Sequence, residues 1–469
     1  MGPLGLYKPS SHQDVLDLYG GYRWEAKTLS ASSTGFTLAE PALGNIVEVY
    51  QLQGNKYVPI QLWNFSCSGD QVTFGRPGYV MNGKKVYLKY RRIPNDRDLI
   101  RAYEAVVPVE GAEVYLYRID GEYASCKLGD CEFQAVYPSS WFNGVTLTID
   151  STGLTINEVP GLYSEITVPA SDYATLRSSM GRLNALGISP VILVSAPLSG
   201  SIPAGAVSAA LSGGADGNGE ITPALLEELC SEFSVVVFPG VTAAQLASSI
   251  SNNDLYLLES SSPALIVLDA PVPTDPVSGW LNDLCSDTSL RSKLVLTAAG
   301  TGVYNSGTSY EYYGRLAANL GAVLSLWKNP TAKKLGFRTI GPLLSSDELI
   351  HAAFSGINVP TVTIMRPSCW WYGVVRDTSW RLEDVCAYIE IVRLVRSKFE
   401  PLIGRPNISP QVTEDLMSIF EECVESTVLD ASMRYENDVV TVEVECQPIG
   451  TVRTVRFSIA VKPPASFGG

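Results

Sequence analysis

Histidine is almost missing: in 469 residues there are two, His12 and His351. His12 lies in a start rich in Pro, Gly, Ser and Tyr, and His351 opens the apolar stretch "HAAFSGINV". No G-x-S-x-G or H-E-x-x-H context surrounds either, which argues against a histidine-based hydrolase and for ordinary surface or core residues. Positive charge is short too: 34 basic against 48 acidic residues leave a net charge of -14. Such a balance disfavours nucleic acid and anionic membrane surfaces as partners, apart from a local basic patch. Nine cysteines, an odd number with no C-x-x-C pair, point to neither a disulfide framework nor a zinc site. Cys126 and Cys131 are the only close pair, open either to a hairpin disulfide or to two reduced thiols. No apolar run approaches the ~18 residues of a membrane span. The start, "MGPLGLYKPSSHQD", lacks a charged region followed by an apolar one, so a soluble chain without the usual export signal is expected.

What is abundant is apolar side chain. Hydrophobic residues make up 46% and charged ones 17%, too apolar for a disordered chain and suggestive of surfaces covered by other subunits. The length exceeds one ordinary core and predicts several domains. Residues 1–24 read as an arm. Residues 25–100 form a β-rich region, in which "NIVEVYQL", "KYVPIQLW", "QVTF" and "GYVMNGKKVYLKY" alternate between turn signals. Residues 101–340 change rhythm: the short apolar runs Val191–Val194, Val235–Phe238, Leu265–Leu268 and Leu294–Leu296 alternate with helical spacing. That pattern predicts parallel strands with crossover helices, an open α/β middle domain.

Residues 341–469 predict a helix over Leu382–Phe399, a loop, a second helix over Val412–Leu429 and a closing β-hairpin with flexible tail. In its strands Val440, Val442, Val444 and Cys446 share one face, and Val455, Phe457, Ile459 and Val461 another. The fold class is therefore α/β, or α+β multidomain, with extended terminal arms.

Three glycine-rich stretches invite a ligand and fail on their own residues. Gly78 to Lys85 nearly spells a P-loop, but Lys85 stands where a Ser or Thr hydroxyl is needed, and Asn82-Gly83 between alternating runs is a hairpin signal. "TAAGTGVYNSG" has its third glycine too distant for a dinucleotide turn. In "LSGGADGNGE", Asp216, Asn218, Glu220 and Glu227 have EF-hand spacing, yet Ile221 replaces the required Gly and Pro223 starts a helix. A turn leading into a helix capped by Thr222 remains, with Leu225, Leu229 and Phe233 at four-residue spacing on its buried face.

Charge in the C-terminal part is segregated. The helix carrying Arg393, Arg396 and Lys398 ends basic, and the next segment carries Glu414, Asp415, Glu421, Glu422 and Glu425. Two solvated helices with signs suited to their dipoles explain this, and so does electrostatic docking of copies or of a partner.

The order of features resembles the tail sheath proteins of contractile phages and related contractile injection particles. The resemblance runs over about Ala105 to Val461 through "AVVPVEGAEVYLYRIDG", "CEFQAVYPSSWFNGVTLTI", "LSGGADG", "VVVFPGVT", "ALIVLDAP", "LAANLGAVLSLWKNPTAKKLGFRTIG" with "ELIHAAFSGINVPTV", and "DVCAYIEIVRLVRSKFEPLIGRPNISPQVTEDL". Asn143-Gly144 stand in reverse order, and the "GPLGLYKPSS" start departs from the family's Pro-Gly-Val-Tyr opening.

The resemblance implies a structural subunit, not an enzyme and without cofactor. Such a subunit polymerises helically around an inner tube and contracts to drive the tube through a target envelope. Its implied partners are itself, the inner tail tube protein, and baseplate and tail terminator proteins, with no nucleic acid and no direct membrane insertion. Its implied place is a virion tail or extracellular contractile particle, assembled in the host cytoplasm, and residues 341–469 become the sheath domain. Inter-subunit strand pairing is expected through Leu4, Leu6 and Tyr7 and through Val455, Phe457, Ile459 and Val461. A tube-facing surface is expected among Arg393, Arg396, Lys398, Glu414, Glu421 and Glu422. The competing readings are an α/β nucleotide-binding enzyme and another self-assembling virion or surface protein.

Overall fold

The computed structural model describes residues 4–399 apart from 13, 16–21, 29–33, 40, 54–55, 60–64, 75–84, 93–98, 139–141, 158–164, 188, 216–218, 306–310, 332, 334, 336–338 and 364–365. Beyond residue 399 it describes Ser418 and three strands. The chain divides into two units, one of residues 1–104, 114–220 and 303–313, the other of 105–113, 221–302 and 314–469. The divide falls inside the 101–340 segment that the sequence groups as one domain.

The first unit is built from antiparallel strands. The arm contributes β1 (Gly5–Tyr7). Strands β2 (Tyr22–Thr28), β3 (Gly35–Thr37), β4 (Ala42–Gln53), β5 (Lys56–Pro59), β6 (Phe65–Ser68), β7 (Gln71–Phe74) and β8 (Lys85–Arg92) follow, then helix α1 (Leu99–Val106) and β9 (Leu116–Arg118). Two small sheets, in the orders β2-β8-β4-β5 and β3-β7-β6, form the predicted β-rich region. Val49, Val86, Leu88 and Tyr90 lie in their shared core. The Asn82-Gly83 hairpin lies outside the described residues.

Next come β10 (Ser125–Leu128), β11 (Cys131–Ala135), β12 (Thr146–Asp150), β13 (Gly153–Ile156), β14 (Ile166–Pro169), α2 (Tyr173–Ala185), β15 (Val191–Ser195) and β16 (Val207–Ala210). In the sheet β14-β13-β12-β16, strands β12 and β14 alternate buried and half-buried residues, as period-two sequences with one covered face do. Leu147, Ile149, Leu154 and Ile156 pack in one cluster with Leu176, Met180 and Leu183 of α2. Asp172 starts that helix by accepting from the Thr175 amide at 2.7 Å. Cys126 and Cys131 are free thiols facing Phe133 and Leu128 across the β10–β11 hairpin, not each other.

Here one sequence expectation is corrected. Val191–Val194 is no parallel strand: β15 pairs antiparallel with β11 at the edge of the sheet β10-β11-β15. Its side chains show why, since Ile192 is 36% and Val194 52% exposed, whereas parallel strands are covered on both faces.

The second unit holds the parallel sheet. In chain order come α3 (Pro223–Glu232), β17 (Val235–Phe238), α4 (Ala243–Leu246), α5 (Asn252–Ser261), β18 (Leu265–Asp269), α6 (Val277–Ser286), β19 (Val295–Ala298), then β20 (Thr301–Asn305) and β21 (Glu311–Gly314), most of whose residues belong to the first unit, and α7 (Leu316–Leu324), β22 (Thr339–Gly341), α8 (Ser346–Phe354), β23 (Ile357–Asn358), β24 (Pro360–Thr363), β25 (Arg366–Trp370), α9 (Leu382–Phe399), β26 (Val428–Glu436), β27 (Val439–Cys446) and β28 (Val455–Val461). The parallel order is β17-β18-β19-β23, so three of the four predicted runs form it, and the "GIN" segment adds a strand. All of β18 is buried.

Thr222 and Pro223 begin α3 as predicted, Thr222 Oγ1 accepting from the Leu225 amide at 3.3 Å. Its buried face is Leu226, Leu229 and Cys230, however, not Leu225 and Phe233. A stripe of about 3.6 residues per turn is met as well by i, i+3, i+4 as by i, i+4, i+8. The α9 helix has the predicted bounds, while the second helix over Val412–Leu429 lies outside the described residues except for Ser418 and the start of β26. The closing hairpin is a three-stranded sheet in the order β26-β27-β28.

Candidate functional site

The segments that carry the family resemblance are tied by polar side chains, an exposed one in the first unit and buried ones in the second. In the first unit, Asn143 binds Gly214 twice: its Nδ2 donates to the Gly214 carbonyl at 2.7 Å, and its Oδ1 accepts from the Gly214 amide at 2.8 Å. "FNG" is thereby stitched to "LSGG". Gly144 has φ +83 and Gly213 φ +81, a region where a side chain is strained. Short bridges Ser125–Ser212 and Glu122–Ala215 continue the pairing, so residues 212–215 of the glycine-rich stretch run as an irregular strand. Of its acidic residues, Asp216 lies outside the described residues and Glu220 is exposed.

In the second unit, Asp269 at the end of β18 is nearly buried and ties two other segments together. Its Oδ2 accepts from the Gly240 amide at 2.7 Å and its Oδ1 from the Ala317 amide at 3.1 Å. "LDAP" thus latches to "FPGVT" and to the start of "LAANLG". Burial pushes the Asp269 carboxyl up from its ordinary range, while the two amides and Arg315 pull the other way.

Asn319, fully buried, donates to the Ala105 carbonyl at 2.8 Å and accepts from Trp370 Nε1 at 3.1 Å. Asn358 donates to the Thr297 and Val374 carbonyls at 3.2 and 2.8 Å and accepts from the Val374 amide at 2.9 Å. These asparagines and the aspartate were visible as motif letters, but their role as paired buried groups was not. Only the fold brings Asn319 within reach of Trp370, 51 positions away.

The expected tube-facing arginines are used within their own unit. Arg393 donates from Nη1 to the carbonyls of Cys230 at 2.7 Å and Phe233 at 3.0 Å, and from Nη2 to that of Ser231 at 3.0 Å. Arg396 donates to the Ser261 carbonyl at 2.6 Å and to Ser262 Oγ. The two guanidinium groups therefore satisfy the last carbonyls of α3 and α5, where helix dipoles favour cations. Burial draws the Arg393 pKa down, with the neighbouring Arg396 adding to that and Cys230 opposing it. Lys293 sits in the same region, 3.1 Å from Glu259 and over the Trp380 and Tyr388 rings at 4.5 and 4.3 Å. Glu414, Glu421 and Glu422 and the side chain of Lys398 lie outside the described residues.

The expected strand-pairing residues divide. Leu4 and Leu6 are exposed at 39% and 46%, and β1 pairs antiparallel with β9, Leu6 opposite Tyr117 and Tyr7 opposite Leu116. The arm is fastened further on: Tyr7 donates to Asp14 Oδ2 at 2.5 Å, His12 Nε2 lies 3.0 Å from Glu104 Oε1, and Val15 is buried with Ile100 and Leu116. Strand β28 places Val455, Phe457, Ile459 and Val461 at alternate positions against β27, Val455 opposite Cys446 and Val461 opposite Val440. Because β27 also pairs with β26, only β26 and β28 keep an open edge in this sheet among the described strands. His351 is an exposed residue of α8.

No family model matches the chain, and no curated protein does. Among solved structures it is similar to a sheath tail protein from Desulfitobacterium hafniense, at 14% identity over 77% of this chain and 87% of that one, with a TM-score of 0.47. It is similar to a sheath tail protein from Listeria innocua at 15% identity over 78% and 87%, with a TM-score of 0.46. It is similar to the helical sheath of the anti-feeding prophage in its contracted state at 14% identity over 70% and 88%, with a TM-score of 0.33.

Proposed function

We propose that this chain is the repeating subunit of a contractile tail sheath. It polymerises helically around an inner tube, and a rearrangement of the polymer drives the tube through a target envelope. One observation carries the reading: the ordered motifs from "CEFQAVYPSSWFNG" to "HAAFSGINV" are the segments whose Asn143, Asp269, Asn319 and Asn358 pair across the chain. Asp269, Asn319 and Asn358 are buried, and paired polar groups in a core hold a framework rigid, as a subunit that transmits force needs. An enzyme reading lacks comparable support: the P-loop-like stretch ends on Lys85 where a hydroxyl is needed, and the glycine-rich stretch with EF-hand spacing is stitched to Asn143.

The inner tube, baseplate and terminator are the partners this reading entails, and a virion tail or extracellular particle assembled in a host cytoplasm is its setting. Neighbouring copies pair through strands, with the open edge of β28 and the exposed Leu4 and Leu6 face of β1 as the points of exchange. Since Arg393 and Arg396 cap helices of their own chain, tube contact falls to Lys398 and the acidic stretch with Glu414, Glu421 and Glu422.

Electron microscopy of the purified full chain tests the reading. Hollow tubes of stacked rings are expected, and a protein that stays monomeric at every concentration and salt overturns it.

A further inference from the structure

The parallel sheet of the second unit carries an open cavity of about 340 Å³ at the carboxyl ends of β17, β18 and β19. Ala243, Pro271, Leu284 and Trp280 make its wall apolar, and Asp283 lines it as an exposed carboxylate. Thr297 also lines it, is 2% exposed, and its Oγ1 has no hydrogen-bond partner among the described residues. A buried hydroxyl left unpaired is costly unless something from outside completes it.

A matching group stands elsewhere in the same unit. Just past α7 the chain turns, the Trp327 amide donating to the Leu324 carbonyl at 2.8 Å, and Trp327 takes φ +51. Glycine normally fills that left-handed position beyond a helix end. Leu290 has φ +49 as well, but its side chain is 2% exposed and core packing accounts for it. Trp327 has no such reason: it is 37% exposed, with exposed Lys328 after it. Neither side chain has a hydrogen-bond or ion-pair partner among the described residues. A bulky aromatic held in a strained conformation and turned to solvent is an anchor without its pocket.

We propose that Trp327 and Lys328 of one copy dock into this cavity of a second copy. The indole lies against the apolar wall with its N–H directed to Thr297 Oγ1, and the ammonium lies beside the Asp283 carboxylate. Donor meets acceptor, cation meets anion, and the aromatic face meets an apolar wall. Knob and cavity are different patches of one chain, so the contact is heterologous and extends copy by copy, as a helical polymer requires. The inference rests on the self-assembling reading above.

Its test uses full-length Asp283→Cys and Lys328→Cys variants, purified separately, mixed under assembly conditions and treated with a short bis-maleimide. A cross-linked dimer in the mixture, several-fold above either variant alone, is expected. In parallel, Asp283→Lys and Lys328→Glu should each lower assembly about tenfold, and the double exchange should restore it. Tubes without cross-link above background and without charge-swap rescue overturn the docking and leave the sheath reading standing. Cross-linked dimers with no tubes support the docking and overturn the sheath reading, while monomers without cross-link overturn both.

Discussion

Asp269 is the residue on which three motifs depend. Asp269→Ala leaves the Gly240 and Ala317 amides unpaired inside the second unit. The expected cost is about 1–3 kcal/mol, read from urea unfolding; no change would mean that water takes over both bonds. The carboxylates at helix starts behave differently. Thr175 amide and hydroxyl hydrogen bonds lower the Asp172 pKa, bonds from Ser251 lower that of Asp254, and bonds from Ser345 lower that of Glu348. A carboxylate with a lowered folded value contributes stability above its unfolded value, near pH 4, and loses it as pH falls through the folded value. Asp269, raised by burial, works in the opposite sense: its contribution is present below the unfolded value and is lost as pH rises through the folded one. Urea midpoints should therefore fall from about pH 5 toward pH 2, and Asp172→Asn, which keeps a capping oxygen without titrating, should flatten that slope. An unchanged slope would contradict the role given to the cap.

Among the elements, α9 is fastened by Arg393 and Arg396 rather than presenting them. Arg393→Ala removes the donors to the carbonyls at the end of α3 and should cost about 1–3 kcal/mol. The loss should be nearly independent of salt, because these are direct hydrogen bonds to backbone and not screened surface pairs. A loss that vanishes in high salt would return Arg393 to a docking role. The packing of α7 on the sheet is as exacting: a Cβ on Gly321 would meet Val237 Cγ2 at 2.3 Å. Gly321→Ala, although it favours helix, should therefore destabilise by roughly 1–3 kcal/mol through overpacking. An increase in the thermal midpoint would show that α7 can shift.

At the scale of the whole molecule, the arm decides between folding and assembly. Val15 is buried with Ile100 and Leu116, and β1 pairs with β9, so deletion of residues 1–20 uncovers a small apolar cluster separate from the core around Leu147. The truncated protein should remain folded by circular dichroism, stay monomeric in sedimentation, and form no tubes. Normal tubes from it would remove the arm from the assembly mechanism. The open edge of β28 and the Trp327 knob would then be the remaining contacts between copies.

The period of the apolar residues determined the β-rich start, three strands of the parallel sheet and the bounds of α9, and the capping residues Thr222 and Pro223 determined the start of α3. Periodicity and capping are local chemistry, read within a few residues of each position. The antiparallel pairing of Val191–Ser195, the third strand Val428–Glu436 in the closing sheet and the buried face of α3 were decided by tertiary structure. Each depends on which segment arrives as a neighbour, and an apolar run has the same spacing whether one face or two are covered. The same holds for charge. Arg393 and Arg396 read as a basic patch because a sequence records sign but not distance, and only the fold brings the carbonyl ends of α3 and α5 to them.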